Sequence, residues 1–206
     1  METLRFGSRG PEVKELQNKL YIMGYYTTNI DSVYGNNTVA AVKRFQYENN
    51  ISSDGVYGPT SDKYMNKYNF YNMKNGDKVI SRNFDLHEFA CKDGSPWLVL
   101  DEEFVKTKLQ QIRDHFGKPI RINSAYRTVS HNAKKDVGGS KTSLHLRGRA
   151  FDIYIKGVSP NEVAKYAVSI GIPGVIRYNG FVHIDSRKGK YYAINNGGNV
   201  KTVSGF

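Results

Sequence analysis

Two imidazoles and one carboxylate stand in segments that could bring them together. His145 lies in the run Ser143-Leu-His-Leu-Arg-Gly-Arg-Ala-Phe-Asp152, and His183 lies in Phe181-Val-His-Ile-Asp185. Neutral imidazole nitrogen with a hard carboxylate oxygen suits Zn2+, and three protein ligands leave the fourth tetrahedral position to water. An open position of that kind serves catalysis, because zinc lowers the pKa of its water to about 7 and can polarise a carbonyl as a Lewis acid. Each residue alone has a plainer use. A histidine in an apolar strand is commonly structural, and Asp152 by itself could accept backbone hydrogen bonds; the conjunction of His145, Asp152 and His183 favours a metal.

These side chains need a sheet to hold them. Ala150, Asp152 and Tyr154 alternate with Phe151, Ile153 and Ile155, the period of two of a strand. Phe181, His183 and Asp185 share one face of a second strand, so His183 and Asp185 can look into one site. Gly148 lets the chain turn between His145 and the Asp152 strand. The spacing further predicts a helix from about Asp101 to Phe116, a strand over Pro119 to Asn123, and a helix opened by a Ser159, Pro160, Glu162 capping box and closed at Gly171. This mixture predicts an α+β domain with a central antiparallel sheet.

The run Ser124-Ala-Tyr-Arg127, then Asn132, Val137-Gly-Gly139, SxHxxGxAxD and FVHID resembles the zinc D-Ala-D-Ala peptidases of bacterial cell walls, in their VanY-like branch. Asn83-Phe84, Glu88-Phe89 and Cys91 resemble the opening of that domain. The resemblance implies His145, Asp152 and His183 as zinc ligands, Arg127 as the cation that binds a substrate carboxylate, and Ser143 as a nearby polar contact. One position departs from it. Several relatives carry an acidic general base three residues before the last histidine ligand, where this chain has Gly180. Asp185 is then a candidate base, two residues past His183 on the same face, or else a carboxylate that orients a histidine; the sequence leaves both roles open.

The first third carries an internal repeat, Asp31-Ser-Val-Tyr-Gly35 echoed by Asp54-Gly-Val-Tyr-Gly58. A helix should run from Pro11 to Gly24. A second, capped by Asn36 or Asn37, should bury Val39, Val42 and Phe45, and a third should lie near Ser61 to Lys67, giving a small three-helix bundle. Gly10, Val13, Leu16, Gln17, Leu20, Thr38, Ala41, Val42, Phe45 and Gln46 resemble the pattern of a peptidoglycan-binding domain, with Ser32 and Ser61 as small departures. Exposed groups at the repeated turns, Tyr34 and Tyr57 among them, are the expected binding surface. The organisation expected is a peptidoglycan-binding domain over residues 1–70, a linker over 71–80 and a zinc peptidase domain over 81–206.

Charge is uneven along the chain. Residues 1–74 hold 9 Lys and Arg against 7 Asp and Glu, and residues 75–206 hold 21 against 12. A cationic surface attracts anionic polymers, walls and nucleic acids alike, but no nucleic-acid motif is present and no nucleic-acid partner is expected. Lys134, Lys135, Lys141, Arg147 and Arg149 are expected on a solvated loop or basic rim. The single cysteine, Cys91, excludes an intramolecular disulfide and is expected to be a small buried side chain. His87, His115 and His131 lack metal spacing with one another, with His131 placed nearest the cleft. The first residues lack the cationic start and apolar run of a secretion signal, and no stretch reaches transmembrane length. The expectation is therefore a monomer made in the cytoplasm that acts on peptidoglycan after release, as a phage endolysin does. The competing expectation is a non-catalytic wall-binding protein with a structural metal.

Overall fold

The computed structural model describes residues 2–206, and the chain divides into two compact units, the first ending at Phe70 and the second running Tyr71–Phe206. In the first unit α1 (Pro11–Ile22), α2 (Asn36–Glu48) and α3 (Pro59–Met65) pack through Val13, Leu16, Leu20, Ala41, Val42, Phe45 and Met65. Proline opens α1 and α3, where its missing N–H has no partner to lose. The N-cap of α2 is Gly35 rather than either asparagine, and it makes no side-chain cap.

A buried glutamine explains the repeat. Gln17 donates to Asp31 Oδ1 (2.8 Å), the Val33 carbonyl (3.0 Å) and Thr38 Oγ1 (3.0 Å), and accepts from the Ser32 amide (3.0 Å). Gln46 repeats the pattern on the second turn, donating to Asp54 Oδ1 (2.8 Å), the Val56 carbonyl (2.9 Å) and Ser61 Oγ (3.0 Å), and accepting from the Gly55 amide (2.8 Å). Each amide thus closes a turn whose backbone would otherwise be buried unpaired. Ser32 departs from glycine at a left-handed φ of 61°, a conformation its counterpart Gly55 reaches at φ 77°.

Tyr34 and Tyr57 contradict the sequence expectation of an exposed binding surface. They are 0% and 4% exposed, and their hydroxyls donate to the Gly55 carbonyl and to Asp62 Oδ1. The repeat folds each ring inward, where a phenol fills volume and finds an acceptor.

The division between the units falls within β1 (Asn69–Asn72), which leads into a 3-10 turn at Met73–Asn75, and β2 (Val79–Ser81) pairs with β3 (Phe84–Asp85). Residues 71–80, expected as a linker, therefore carry regular structure. After β4 (Trp97–Leu100), α4 (Glu102–Phe104) passes through a π-helical turn (Val105–Leu109) into α5 (Gln110–Phe116). The main sheet joins β5 (Ile120–Ser124), β6 (Ala150–Ile155), β7 (Gly174–Tyr178), β8 (Val182–Asp185), β9 (Tyr191–Asn196) and β10 (Asn199–Val203) in the order β10-β9-β7-β8-β6-β5. It is antiparallel except at the β7–β9 pair, which is parallel because β8 runs against β7 and the chain reverses again before β9 returns on the far side of β7.

Two short helices complete the frame, α6 (Val129–Asn132) and α7 (Pro160–Ser169), the latter opened by the Ser159 and Glu162 capping box. Phe151, Ile153 and Ile155 turn one face of β6 into the core, where Phe151 stacks on Phe104 and meets the edge of Phe89. The period of two then sends Asp152 to the opposite face. The described helices include none long and apolar enough to cross a membrane.

Because Gln46 is 2% exposed and its amide bonds the turn through both its nitrogen and its oxygen, Gln46→Leu should destabilise the first unit by roughly 3 kcal/mol through the acceptors and the Gly55 amide it strands. Urea unfolding of the full chain checks this; an unchanged midpoint contradicts the assignment.

Candidate metal centre

Asp152 on β6 and His183 on β8 are direct cross-strand partners, and Ser124 on β5 pairs with Asp152 from the other side. His145 arrives from a 3-10 turn at Leu144–Arg147, capped by Ser143 Oγ, which accepts the His145 amide (3.3 Å). Gly148 ends that turn at φ 61°, and a Cβ there would lie 1.8 Å from the Val99 carbonyl, so no other residue fits.

The three side chains converge on one point. His145 Nε2 lies 3.3 Å from His183 Nδ1 and 3.4 Å from Asp152 Oδ1, and His183 Nδ1 lies 2.9 Å from Asp152 Oδ1. A tetrahedral zinc with bonds of about 2.0–2.2 Å sets its donors roughly 3.3–3.5 Å apart, so two edges already match and the third opens by about half an ångström. The sequence-expected ligands are thus the residues the fold brings together.

The atoms facing away from that point are all tied. His145 Nδ1 donates to the Ala125 carbonyl (2.6 Å), and since a carbonyl only accepts, Nε2 is left with its lone pair inward. His183 Nε2 donates to Asp185 Oδ2 (3.0 Å), directing Nδ1 inward. Asp152 Oδ2 accepts from Arg127 Nη2 (2.6 Å), leaving Oδ1 for the centre.

Electrostatics follow this wiring. Burial lowers the His145 imidazole below its ordinary value and keeps it neutral, against the pull of Asp152. Burial alone would raise the Asp152 carboxyl, but the two imidazoles hold it well below the usual carboxylate range. Burial would also lower His183, yet its hydrogen bonds to Asp152 and Asp185 push it up to about 9. A metal therefore competes with a proton at His183.

Asp185 is 0% exposed and both its oxygens are engaged. Besides His183 it accepts from the Arg187 amide (3.0 Å) and forms a two-pronged pair with the Arg187 guanidinium, and these outweigh burial to hold it well below the ordinary range. Gly174 makes room for it, since a Cβ there would meet Asp185 Oδ1 at 2.0 Å. Of the two roles open from sequence, this bonding supports orientation of His183; a saturated, weakly basic carboxylate is a poor proton acceptor.

A cavity of about 660 Å³ opens over His145, Asp152 and His183, with Arg127, Ser143, Tyr178 and Phe181 among its walls. Arg127 donates Nε to Ser124 Oγ (2.7 Å) as well as Nη2 to Asp152, so part of its fork is already used. Sequence reasoning missed the Tyr178–Phe181 pair, stacked at 4.3 Å, and Arg187, whose spacing of two from Asp185 was the available signal. Arg147 corrects the expected basic rim: it is fully buried and donates to the Ser143 carbonyl (2.9 Å), bracing the turn that carries His145. Lys134, Lys135 and Lys141 are exposed as expected. Gly180 is exposed, with nothing within 4 Å of a Cβ built there.

The Peptidase M15 family matches residues 82–185, and a peptidoglycan binding domain family matches residues 9–60. The chain is 30% identical to the zinc D-Ala-D-Ala carboxypeptidase of Streptomyces albus G over 93% of its own length and 78% of that protein. It is 32% identical to the peptidoglycan L,D-endopeptidase MepK of Escherichia coli K12, over 36% of this chain and 44% of that protein. Among solved structures, the SleB N-terminal domain is 32% identical over 32% of this chain and 90% of that one, with a TM-score of 0.32. The chain belongs to the Peptidase M15 family.

Two outcomes follow from the wiring. Asp185→Asn should weaken zinc binding about 10–100-fold while leaving the fold intact; unchanged zinc affinity with lost activity would instead make Asp185 the base. In chelator-treated protein, a raised His183 pKa contributes stability that is complete below about 6.5 and disappears as pH rises through about 9. Thermal melts in chelator should therefore fall over that window in wild type, and the fall should be absent in His183→Gln.

Proposed function

We propose that the second unit is a zinc peptidase that hydrolyses an amide in the peptide portion of peptidoglycan, and that the first unit holds it to the wall. The observation that carries this reading is the triangle formed by His145 Nε2, Asp152 Oδ1 and His183 Nδ1 at the foot of an open cavity. Bound zinc would supply an ionisable water with pKa about 7 and a Lewis acid for the scissile carbonyl. The rest is the work of the chain. Asp185 and Arg187 fix the His183 ring, the Ala125 carbonyl fixes His145, and Arg127 fixes Asp152.

Arg127 stands beside the ligands and lines the cavity, so its guanidinium can attract a stem-peptide carboxylate through the part of its fork not given to Asp152 and Ser124. Ser143 Oγ accepts the His145 amide and keeps its own proton to donate to a bound peptide. The stacked Tyr178 and Phe181 rings give the peptide an apolar wall. Residues 1–70 serve as the wall-binding domain and 81–206 as the catalytic domain, with tethering raising the local enzyme concentration on an insoluble polymer. On this reading the chain is an endolysin-like lytic enzyme, phage-borne and acting as a monomer.

Purified sacculi incubated with zinc-loaded protein and read by mass spectrometry test the reading. Wild type should release D-Ala or shortened peptides, whose masses name the bond, and His183→Ala should release none. Arg127→Lys keeps the charge beside Asp152 but loses the fork, so it should lower kcat/KM by about 10–100-fold with zinc content unchanged. Wall binding without any product would favour the non-catalytic alternative.

A further inference from the structure

A second group of metal-ligating side chains lies apart from His145, Asp152 and His183. A sulfur of Cys91, a carboxylate oxygen of Asp93 and a ring nitrogen of His131 all lie within 4.8 Å of one another. The group runs from buried to accessible: Cys91 is buried, His131 half-buried and Asp93 exposed, so an ion can enter from solvent. The hydrogen bonding around it is incomplete in one informative place. Thr128 sits among the three, donating its amide to Cys91 Sγ (3.3 Å), donating its hydroxyl to Asp93, and accepting the His131 amide (3.1 Å). Its bonds order the loop but none reaches the His131 ring, whose Nδ1 is buried with no hydrogen-bond partner. A buried imidazole nitrogen without a partner is uncommon and wants an explanation, and the thiol and carboxylate grouped with this ring make a bound cation one.

We propose that Cys91, Asp93 and His131 form a second metal site that takes a zinc-class divalent cation. Thiolate, imidazole and carboxylate are together the donor set of a borderline-soft ion, and they exclude Mg2+ and Ca2+, which want oxygen alone. Binding transfers the Cys91 proton to solvent and sets the three donors at the edges of roughly 3.5–3.8 Å that a tetrahedral zinc with a sulfur ligand requires.

The site clasps the loop that holds Cys91 and Asp93 to α6, and so bears on the segment between them. Along that segment the Tyr126 amide bonds the Phe89 carbonyl (3.2 Å), the Arg127 amide bonds the His145 carbonyl (3.0 Å), and the Thr128 amide bonds Cys91 Sγ. Successive amides thus tie the Cys91 loop and the His145 turn to one strip of backbone. A metal at Cys91 tightens the strip that positions Arg127.

Cobalt titration of chelator-stripped, full-length protein under reducing conditions separates the two sites, because a thiolate ligand gives a near-ultraviolet charge-transfer band that a site of two histidines and an aspartate lacks. Wild type should bind two equivalents and develop the band. Cys91→Ser should lose the band and one equivalent, His131→Ala should weaken the affinity behind the band by more than about tenfold, and His183→Ala should keep the band while losing the other equivalent. One equivalent in wild type with no band overturns the proposal, as does a band that is indifferent to His131→Ala and Asp93→Asn.

Discussion

Three donor atoms can point at one another only if something else holds their far sides. In this protein each ligand is anchored by a distinct partner: the Ala125 carbonyl behind His145, Arg127 behind Asp152, and Asp185 behind His183. Those partners set the tautomers and ring orientations before any ion arrives, which is how outer residues tune a metal site. Asp185 in turn is held by Arg187, and Arg147 braces the turn that presents His145. The cost is a cluster of buried ionisable groups. Without a cation the two carboxylates are paired with His183, Arg127 and Arg187, so an ion entering the centre must displace a proton from His183.

The same economy appears in the first unit with neutral groups. Gln17 and Gln46 each close a turn of the repeat by satisfying two carbonyl or carboxylate acceptors, one hydroxyl and one amide. Each turn of the repeat carries polar residues at fixed offsets because one buried glutamine side chain reads its backbone. In the second unit the sheet itself presents Asp152 and His183, and a short turn adds His145.

The convergence of Asp152 and His183 was legible in the sequence because strand period and hydrophobic alternation decide which way they point. The Ser159 capping box and the Gly148 turn were legible for a similar reason, since each depends on residues only a few positions apart. What escaped depended on distant partners. Tyr34 and Tyr57 sit in turns and read as exposed, but their hydroxyls find acceptors only once Gly55 and Asp62 are packed beside them. Arg147 reads as a surface charge until the Ser143 carbonyl is placed against it. The parallel β7–β9 pair depends on how β9 passes β7, which no local pattern records.

The most direct test of the metal centre is anomalous diffraction at the zinc edge from crystals of the zinc-loaded protein. A peak bonded to His145 Nε2, Asp152 Oδ1 and His183 Nδ1 at about 2.0–2.2 Å, with a fourth ligand from solvent, is the result expected. No peak at that triangle, or coordination through His183 Nε2 with Asp185 set free, would contradict the wiring on which the site rests.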